Sequence, residues 1–321
     1  MNYLFPDLNF KTLLFNYFEG GHMNIRDCLR AVVVLSIALP ALAAPPKSGE
    51  QGMTAEQFEA SLKYQGGAIT LPNGVATLRI PASFRYLGPK DASRVLEDAW
   101  GNPPGPKTLG MLFPANIGPL QENTWGVVIT YEKDGHVSDE DADKIDYQEL
   151  LASIQGEIAD SNKERVKQGY APLQLVGWAE PPHYDKASHK LYWAKELRFG
   201  DSTPHTLNYN IRVLGREGVL ILNAVASMND LASIQKDMQQ VLTFTDFVEG
   251  QRYADYNPST DKLATYGIAA LIGGAVAAKT GLLAKLGVLL LAAKKFIVLI
   301  VVAIGGIIAR IFKRKKPKID V

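Results

Sequence analysis

From residue 54 onward the hydrophobic and polar positions fall into two rhythms. Over residues 54–64, Phe58 and Leu62 recur four apart behind Thr54, whose hydroxyl suits the first free amides of a helix, and the stretch predicts a short helix. Residues 67–81, GAITLPNGVATLRIP, alternate apolar and polar on both sides of Pro72-Asn73-Gly74, which predicts a β-hairpin. A helix over 91–100 runs into the proline- and glycine-rich loop 101–106. Strands follow over 109–113 and 125–131, rich in β-branched and aromatic residues.

The longest helical stretch, 143–168, draws Ile145, Leu150, Ile154, Ile158 and Val166 into one apolar stripe and stops at Gly169. Four strands come next, over 173–178, 190–199, 205–214 and 219–226, the last two joined by a turn at 215–218. An amphipathic helix over 229–241 and a short strand over 243–247 close the pattern, and no internal repeat is present. Antiparallel strands broken by helices that do not alternate strictly with them predict an α+β domain over residues 54–250. Its core is expected to be a single, mainly antiparallel sheet with covering helices, a size that one domain buries well.

Beyond the segment 251–262, expected as a linker, the rhythm disappears. Residues 263–278, 281–293 and 296–309 are three apolar runs separated by Lys279, Lys285 and the pair Lys294-Lys295. Residues 263–312 therefore predict a C-terminal helical membrane anchor, with the lipid bilayer as partner. The basic tail 313–321 is expected on the cytoplasmic side, where Lys313, Arg314, Lys315 and Lys316 would meet anionic lipid. Each run is shorter than the ~20 residues of a full span, and an exported head with a cytoplasmic tail needs an odd number of crossings. One crossing over 296–312, stretched by Lys294, Lys295 and Arg310 reaching to the headgroups and with 263–293 packed at the outer interface, satisfies both conditions, and a crossing near 263–291 with the last run in the inner interface keeps the same parity.

The other end carries targeting information. Residues 23–43 combine Arg26 and Arg30, an apolar run over 31–39 and the small pair Ala41 and Ala43, the pattern of a secretory signal peptide. Residues 1–22 read as an upstream start that is not used, and 44–53 as a linker. Cys28, the single cysteine, lies in the signal, so the expected mature domain has no disulfide, thiol nucleophile or cysteine-based metal site.

Charge separates the regions. Residues 44–262 hold 21 Lys and Arg against 29 Asp and Glu, whereas residues 263–321 hold 10 against 1. An acidic head excludes nucleic acid as its partner, because phosphate binding needs cations gathered on one face.

Candidate chemistry is sparse. The acidic run from Asp134 to Asp146 invites a calcium loop, but Gly135 in the sixth position puts Thr130 first and Asp141 twelfth, where Asp and a bidentate Glu are needed. His136, His183, His189 and His205 lack the short spacing of a zinc site. No nucleophile elbow, phosphate loop or dinucleotide fingerprint occurs, and neither a cofactor nor a metal is expected. Trp178-Ala-Glu-Pro-Pro-His183-Tyr184-Asp185 gathers an imidazole and acids in what reads as a turn before a strand, and Trp100 and Trp178 each abut a proline-containing loop. Trp100, Trp178, His183, Tyr184 and Asp185 are thus the candidate partner or ligand surface.

The runs at 67–81, 100–105, 109–114, 125–147, 177–185, 190–197 and 253–264, followed by a Gly-, Ala- and Lys-rich anchor, resemble an uncharacterised bacterial family of membrane-anchored proteins, domain of unknown function 2167. The resemblance covers residues 54–312. It implies an exported, membrane-anchored domain and offers no catalytic residues to carry over. A strand ending in Ile-Pro near the start and a helix followed by Thr-Phe near the end are similar to the PsbP-like sandwich, a mostly non-catalytic binding fold. The expectation is a periplasmic domain on the bacterial inner membrane that binds or assembles with an envelope protein or acts in an envelope response. Its rival is a membrane-surface hydrolase or transferase using carboxylates such as Glu180 and Asp185.

Overall fold

The computed structural model describes residues 53–102, 107–121, 123–167 and 169–274. In chain order these form α1 (Ala55–Ser61), β1 (Tyr64–Gln65), β2 (Gly67–Thr70), β3 (Ala76–Ile80), β4 (Phe84–Leu87) and α2 (Pro89–Arg94), which continues as a π-helical turn over Val95–Ala99. Next come β5 (Gly110–Pro114), β6 (Gly126–Glu132), β7 (His136–Ser138), α3 (Tyr147–Lys167) and β8 (Leu173–Asp185). The last elements are β9 (Lys190–Phe199), β10 (Thr206–Leu214), β11 (Val219–Ser227), α4 (Leu231–Phe244), β12 (Thr245–Phe247), β13 (Leu263–Gly267) and α5 (Ile268–Gly273).

Eight strands make one antiparallel sheet in the order β1-β4-β5-β6-β11-β10-β9-β8. Two small sheets accompany it, β12-β3-β2 and the parallel pair β13-β7. The architecture is α+β, as the sequence predicts, with three sheets among the described residues in place of one. On one face of the large sheet lie the small three-stranded sheet and α4, whose Ile234, Met238 and Val241 enter the main core four and three residues apart. Each such burial contributes about 1.5–3 kcal/mol. On the other face α3 and α5 build a second core with Leu150, Ile154, Ile158, Ile268 and Ile272, and α1 and α2 build a third around Val95, Leu96, Trp100 and Phe113.

Several expected boundaries shift for physical reasons. The long helix begins at Tyr147, not 143, because the Asp146 carboxylate accepts from the amides of Gln148 and Glu149 and fixes the start. Val166 leaves the predicted stripe and is exposed, while Arg165 is buried with its guanidinium donating to the Ala171 carbonyl. The segment from Trp178 to Asp185 is no turn but the second half of β8. Pro181 and Pro182 fit there because β8 is an edge strand, whose outer side has no ladder to lose, and its register shifts between Glu180 and His183. The same edge is closed to pairing at its other end by α3. Asn162 both donates to the Leu173 carbonyl and accepts from its amide, at 2.8 Å each, and Gln155 donates to the Leu175 carbonyl.

The largest change is at the C-terminal side. Residues 251–262 are not a free linker: they carry a 3₁₀ turn over Tyr253–Asp255 and are fastened to the head by Arg216 and Asp261. Residues 263–274, expected as the start of the anchor, form β13 and α5, with Ala264, Ile268 and Ile272 buried in the second core. Their apolar character serves the head's own core. Among the described residues no helix is long and apolar enough to cross a membrane. The expected upstream start 1–22, signal 23–43, most of the linker 44–53, the rest of the anchor 275–312 and the tail 313–321 lie outside the described residues.

Candidate functional site

The C-terminal strap, residues 250–267, crosses the end of the sheet where β7 and the β8–β9 turn meet, and there the rings of four residues interleave. His136 comes from β7 and His189 from the turn, where it holds a left-handed φ of 52°. Tyr253 and Tyr256 come from the strap. The order is His189, Tyr253, His136, Tyr256, with successive ring centroids 4.0, 4.2 and 3.9 Å apart and interplanar angles of 22°, 37° and 11°. The Tyr253 hydroxyl donates to the Val137 carbonyl at 3.1 Å, locking the strap ring in place.

Tyr184, Asp139 and His189 make further contacts beside the stack. The Tyr184 hydroxyl donates to Asp139 Oδ2 at 2.8 Å and lies 3.2 Å from His189 Nδ1, which is itself 3.7 Å from the same carboxylate oxygen. Burial, then the neighbouring Asp139, push the Tyr184 phenol far above its ordinary proton affinity, and burial and Asp139 do the same to Tyr253. Neither phenol is available as a nucleophile or base near neutrality. Burial lowers the proton affinity of His136, opposed by the backbone of Gly215 and Arg216 and by Asp139. His136 is 6% exposed, and its Nδ1 has no hydrogen-bond partner among the described residues.

The acidic run from Asp134 to Asp146 is dispersed around this region and forms no calcium loop. Asp134 accepts from the Tyr266 hydroxyl, Asp139 from Tyr184, Asp141 from the first amides of α5, and Asp143 pairs with Lys186. Among the described residues no group of three His, Cys, Asp or Glu side chains is placed to hold a metal ion.

The five residues expected as a surface do not come together. Trp100 is a core residue, 5% exposed, its indole donating to the Pro119 carbonyl and meeting Phe113 edge-on. It also lines a recess of about 20 Å³ with Leu96, Asn102 and Asn223, space for one water molecule. Trp178 packs on the second core and donates to the Tyr147 carbonyl, and Tyr184 packs there too. His183 lies against the Tyr192 ring at 5.1 Å, and Asp185 organises the β8–β9 turn by accepting from the Ala187 amide and the Ser188 hydroxyl. That bonding, the Ser188 hydroxyl first, lowers the proton affinity of Asp185, the reverse of what an acid catalyst needs. Glu180 accepts from Gln235 of α4.

The sequence pointed at Tyr184 and not at the stack it supports. Tyr253 and Val137 are 116 positions apart, and no spacing rule joins a strand, a turn and a strap at that distance.

A family model described as protein of unknown function (DUF2167) matches residues 63–305. No curated protein sequence matches the chain. Among solved structures, cyanobacterial PsbP from Synechocystis sp. PCC 6803 is similar at 8% identity and a TM-score of 0.34, over 64% of this chain and 99% of that one. LpqN of Mycobacterium tuberculosis, described as involved in cell envelope biogenesis, is similar at 11% identity and a TM-score of 0.30, over 62% and 99%. The Ran-binding protein Mog1p of Saccharomyces cerevisiae is similar at 7% identity and a TM-score of 0.30, over 61% and 100%. At these scores the structural likenesses support no inference.

Proposed function

The chain belongs to the DUF2167 family of proteins of unknown function, and we propose that it is a non-catalytic binding or assembly component of the bacterial envelope. The 23–43 signal exports the α+β head, and a crossing over 296–312 holds it on the outer face of the inner membrane with the basic tail inside. The PsbP-like sandwich, a fold reading drawn from the sequence, goes with this proposal.

The observation that carries the reading is how far the chain stays bound to the head. Ala264, Ile268 and Ile272 are buried, and Asp141 accepts from the Ile268 amide, so the fold holds its chain up to Gly274. The apolar run at 281–293 begins soon after Gly274 and leads into the proposed crossing at 296. A head whose core takes in its own chain up to the start of that apolar segment suits a docking platform. Of the side chains best equipped for chemistry, Asp139, Tyr184 and His189 are hydrogen-bonded to one another beneath the strap, and Asp185 to the β8–β9 turn.

The test is made on the full chain in bacterial cells. After alkaline extraction it should remain with the membrane. Protease added to spheroplasts should digest the head and spare a tag fused after Val321, and cross-linking should capture an envelope protein. A head shielded from external protease, or a chain released by alkali, defeats the topology. Turnover of an envelope substrate that is lost in Glu180→Gln and Asp185→Asn variants establishes the catalytic rival.

A further inference from the structure

The interleaved rings tie the strap to the head through one titratable side chain that is buried among them. We propose that this stack is a proton-operated latch, in which protonation of His136 expels Tyr253 and Tyr256 and frees the strap together with β13 and α5.

Geometry gives the mechanism. His136 sits between Tyr253 and Tyr256, so both its faces belong to the strap while its backbone belongs to β7. The strap's β13 pairs in parallel with that same β7, Leu263 opposite His136 and Gly267 opposite Ser138. Anything that moves the His136 ring therefore acts on both attachments of the strap. A neutral imidazole has one N–H to satisfy. An imidazolium has two, and Nδ1 makes no hydrogen bond among the described residues, so the charged form brings a second buried donor to satisfy.

The charged and titratable groups around the ring come from every neighbouring element. Asp139, on the loop after β7, favours the proton, but it already accepts from Tyr184 and lies beside His189. His189, on the β8–β9 turn, opposes it by like charge when protonated. Tyr253 and Tyr256 present ring faces, which also favour a cation. The backbone of Gly215 and Arg216 also favours the charged form, and Arg216 directs its guanidinium to Asp261. Burial outweighs Asp139 and the backbone, and the proton affinity of His136 falls below the ordinary imidazole value of 6.5.

The sign follows. A group held below its open-state value stabilises the closed form fully above about pH 6.5 and loses that contribution as pH falls toward the lower closed-state value. Mild acid therefore opens the latch, and the latch stands whether or not the chain is anchored in a membrane.

Hydrogen exchange on the full detergent-solubilised chain at pH 8 and pH 5.5, expressed as protection factors, tests it. Amides over Leu263–Gly267 should lose at least about threefold protection at pH 5.5, a fraction of the tenfold that one pKa unit supplies, while β10 and β11 keep theirs. His136→Phe keeps an aromatic ring between the tyrosines and should show no such loss. Equal strap protection at both pH values, the same loss in His136→Phe, or parallel loss in β10 and β11 overturns the latch. Should His136→Phe fail to fold, nitrogen chemical shifts of the His136 imidazole in the unmodified chain decide. A midpoint below 6.5 that tracks strap opening supports the latch, and one at or above 6.5 overturns it.

Discussion

Arg216 holds Asp261 with two hydrogen bonds, Nε to Oδ2 at 2.7 Å and Nη2 to Oδ1 at 2.9 Å. The first residue lies in the β10–β11 turn and the second in the strap, so this pair is a second fastening of the strap, with the opposite chemistry to the histidine stack. The Asp261 carboxylate also accepts from the Asn257 amide and the Thr260 hydroxyl. Together they hold its proton affinity well below the usual carboxylate range, Arg216 contributing most.

A depressed carboxylate stabilises the folded form fully above its ordinary value near 4 and loses that contribution as pH falls through its folded value. Between pH 5.5 and pH 8 the pair is therefore constant. Asp261→Asn should lower strap protection by a similar factor at both pH values and leave the acid-dependent loss from His136 in place. Should the variant abolish the pH dependence as well, the two fastenings are a single cooperative unit.

The approach of Gly267 to Asp141 makes another prediction. A Cβ at position 267 would stand 2.6 Å from Asp141 Oδ2, and the Asp141 carboxylate accepts from the Ile268 amide at 3.1 Å at the start of α5. Gly267→Ala displaces that carboxylate and should cost about 0.5–2 kcal/mol, the range for losing a helix cap. Asp141→Ala should cost about the same and remove the obstacle. In that background Gly267→Ala should add under about 0.5 kcal/mol, because the two changes share one contact. Urea denaturation of the four proteins gives the cycle, and simple additivity would show that the crowding at Gly267 has another source.

Local pattern carried most of the architecture. The Thr54 cap, the hairpin about Pro72-Asn73-Gly74 and the strands at 190–199 and 219–226 depend on neighbours within a few positions, and the fold places each where the pattern predicts. Trp178 to Asp185 misleads because Pro-Pro signals a turn unless the strand lies at an edge, and edge position is a property of the whole sheet. Trp100 misleads in the same way, since a proline-rich loop beside it says nothing of the Phe113 ring and Pro119 carbonyl that hold it inside. Residues 263–274 read as lipid-facing because a segment packed in a protein core and one facing lipid can share an apolar composition. The ring stack was invisible for want of any local signal, its members lying on β7, the β8–β9 turn and the strap.

The centre of the large sheet holds the hardest feature to read. Asn208, Asn210 and Arg212 alternate with Leu207, Tyr209, Ile211 and Val213 along β10, the rhythm of a strand with one wet face. Yet the two asparagines are 0% and 2% exposed and Asn223 of β11 is 4% exposed. Their amides form a ladder across the strands: Asn210 Nδ2 donates to Asn208 Oδ1 at 2.7 Å, and Asn208 Nδ2 donates to Asn223 Oδ1 at 2.9 Å. Asn208 is the middle rung, so Asn208→Ala removes a partner from both neighbours at once. It should cost about 1–3 kcal/mol, because each stranded buried group keeps its desolvation penalty. Replacing Asn208, Asn210 and Asn223 together by Leu removes donors and acceptors alike and should cost less than the three single replacements combined. The midpoints of urea unfolding, compared at constant slope, measure both. A single-site cost under about 0.5 kcal/mol would mean that water replaces the lost rung, and a triple variant as costly as the sum would mean that the ladder's shape, not its bonding, is what the sheet requires.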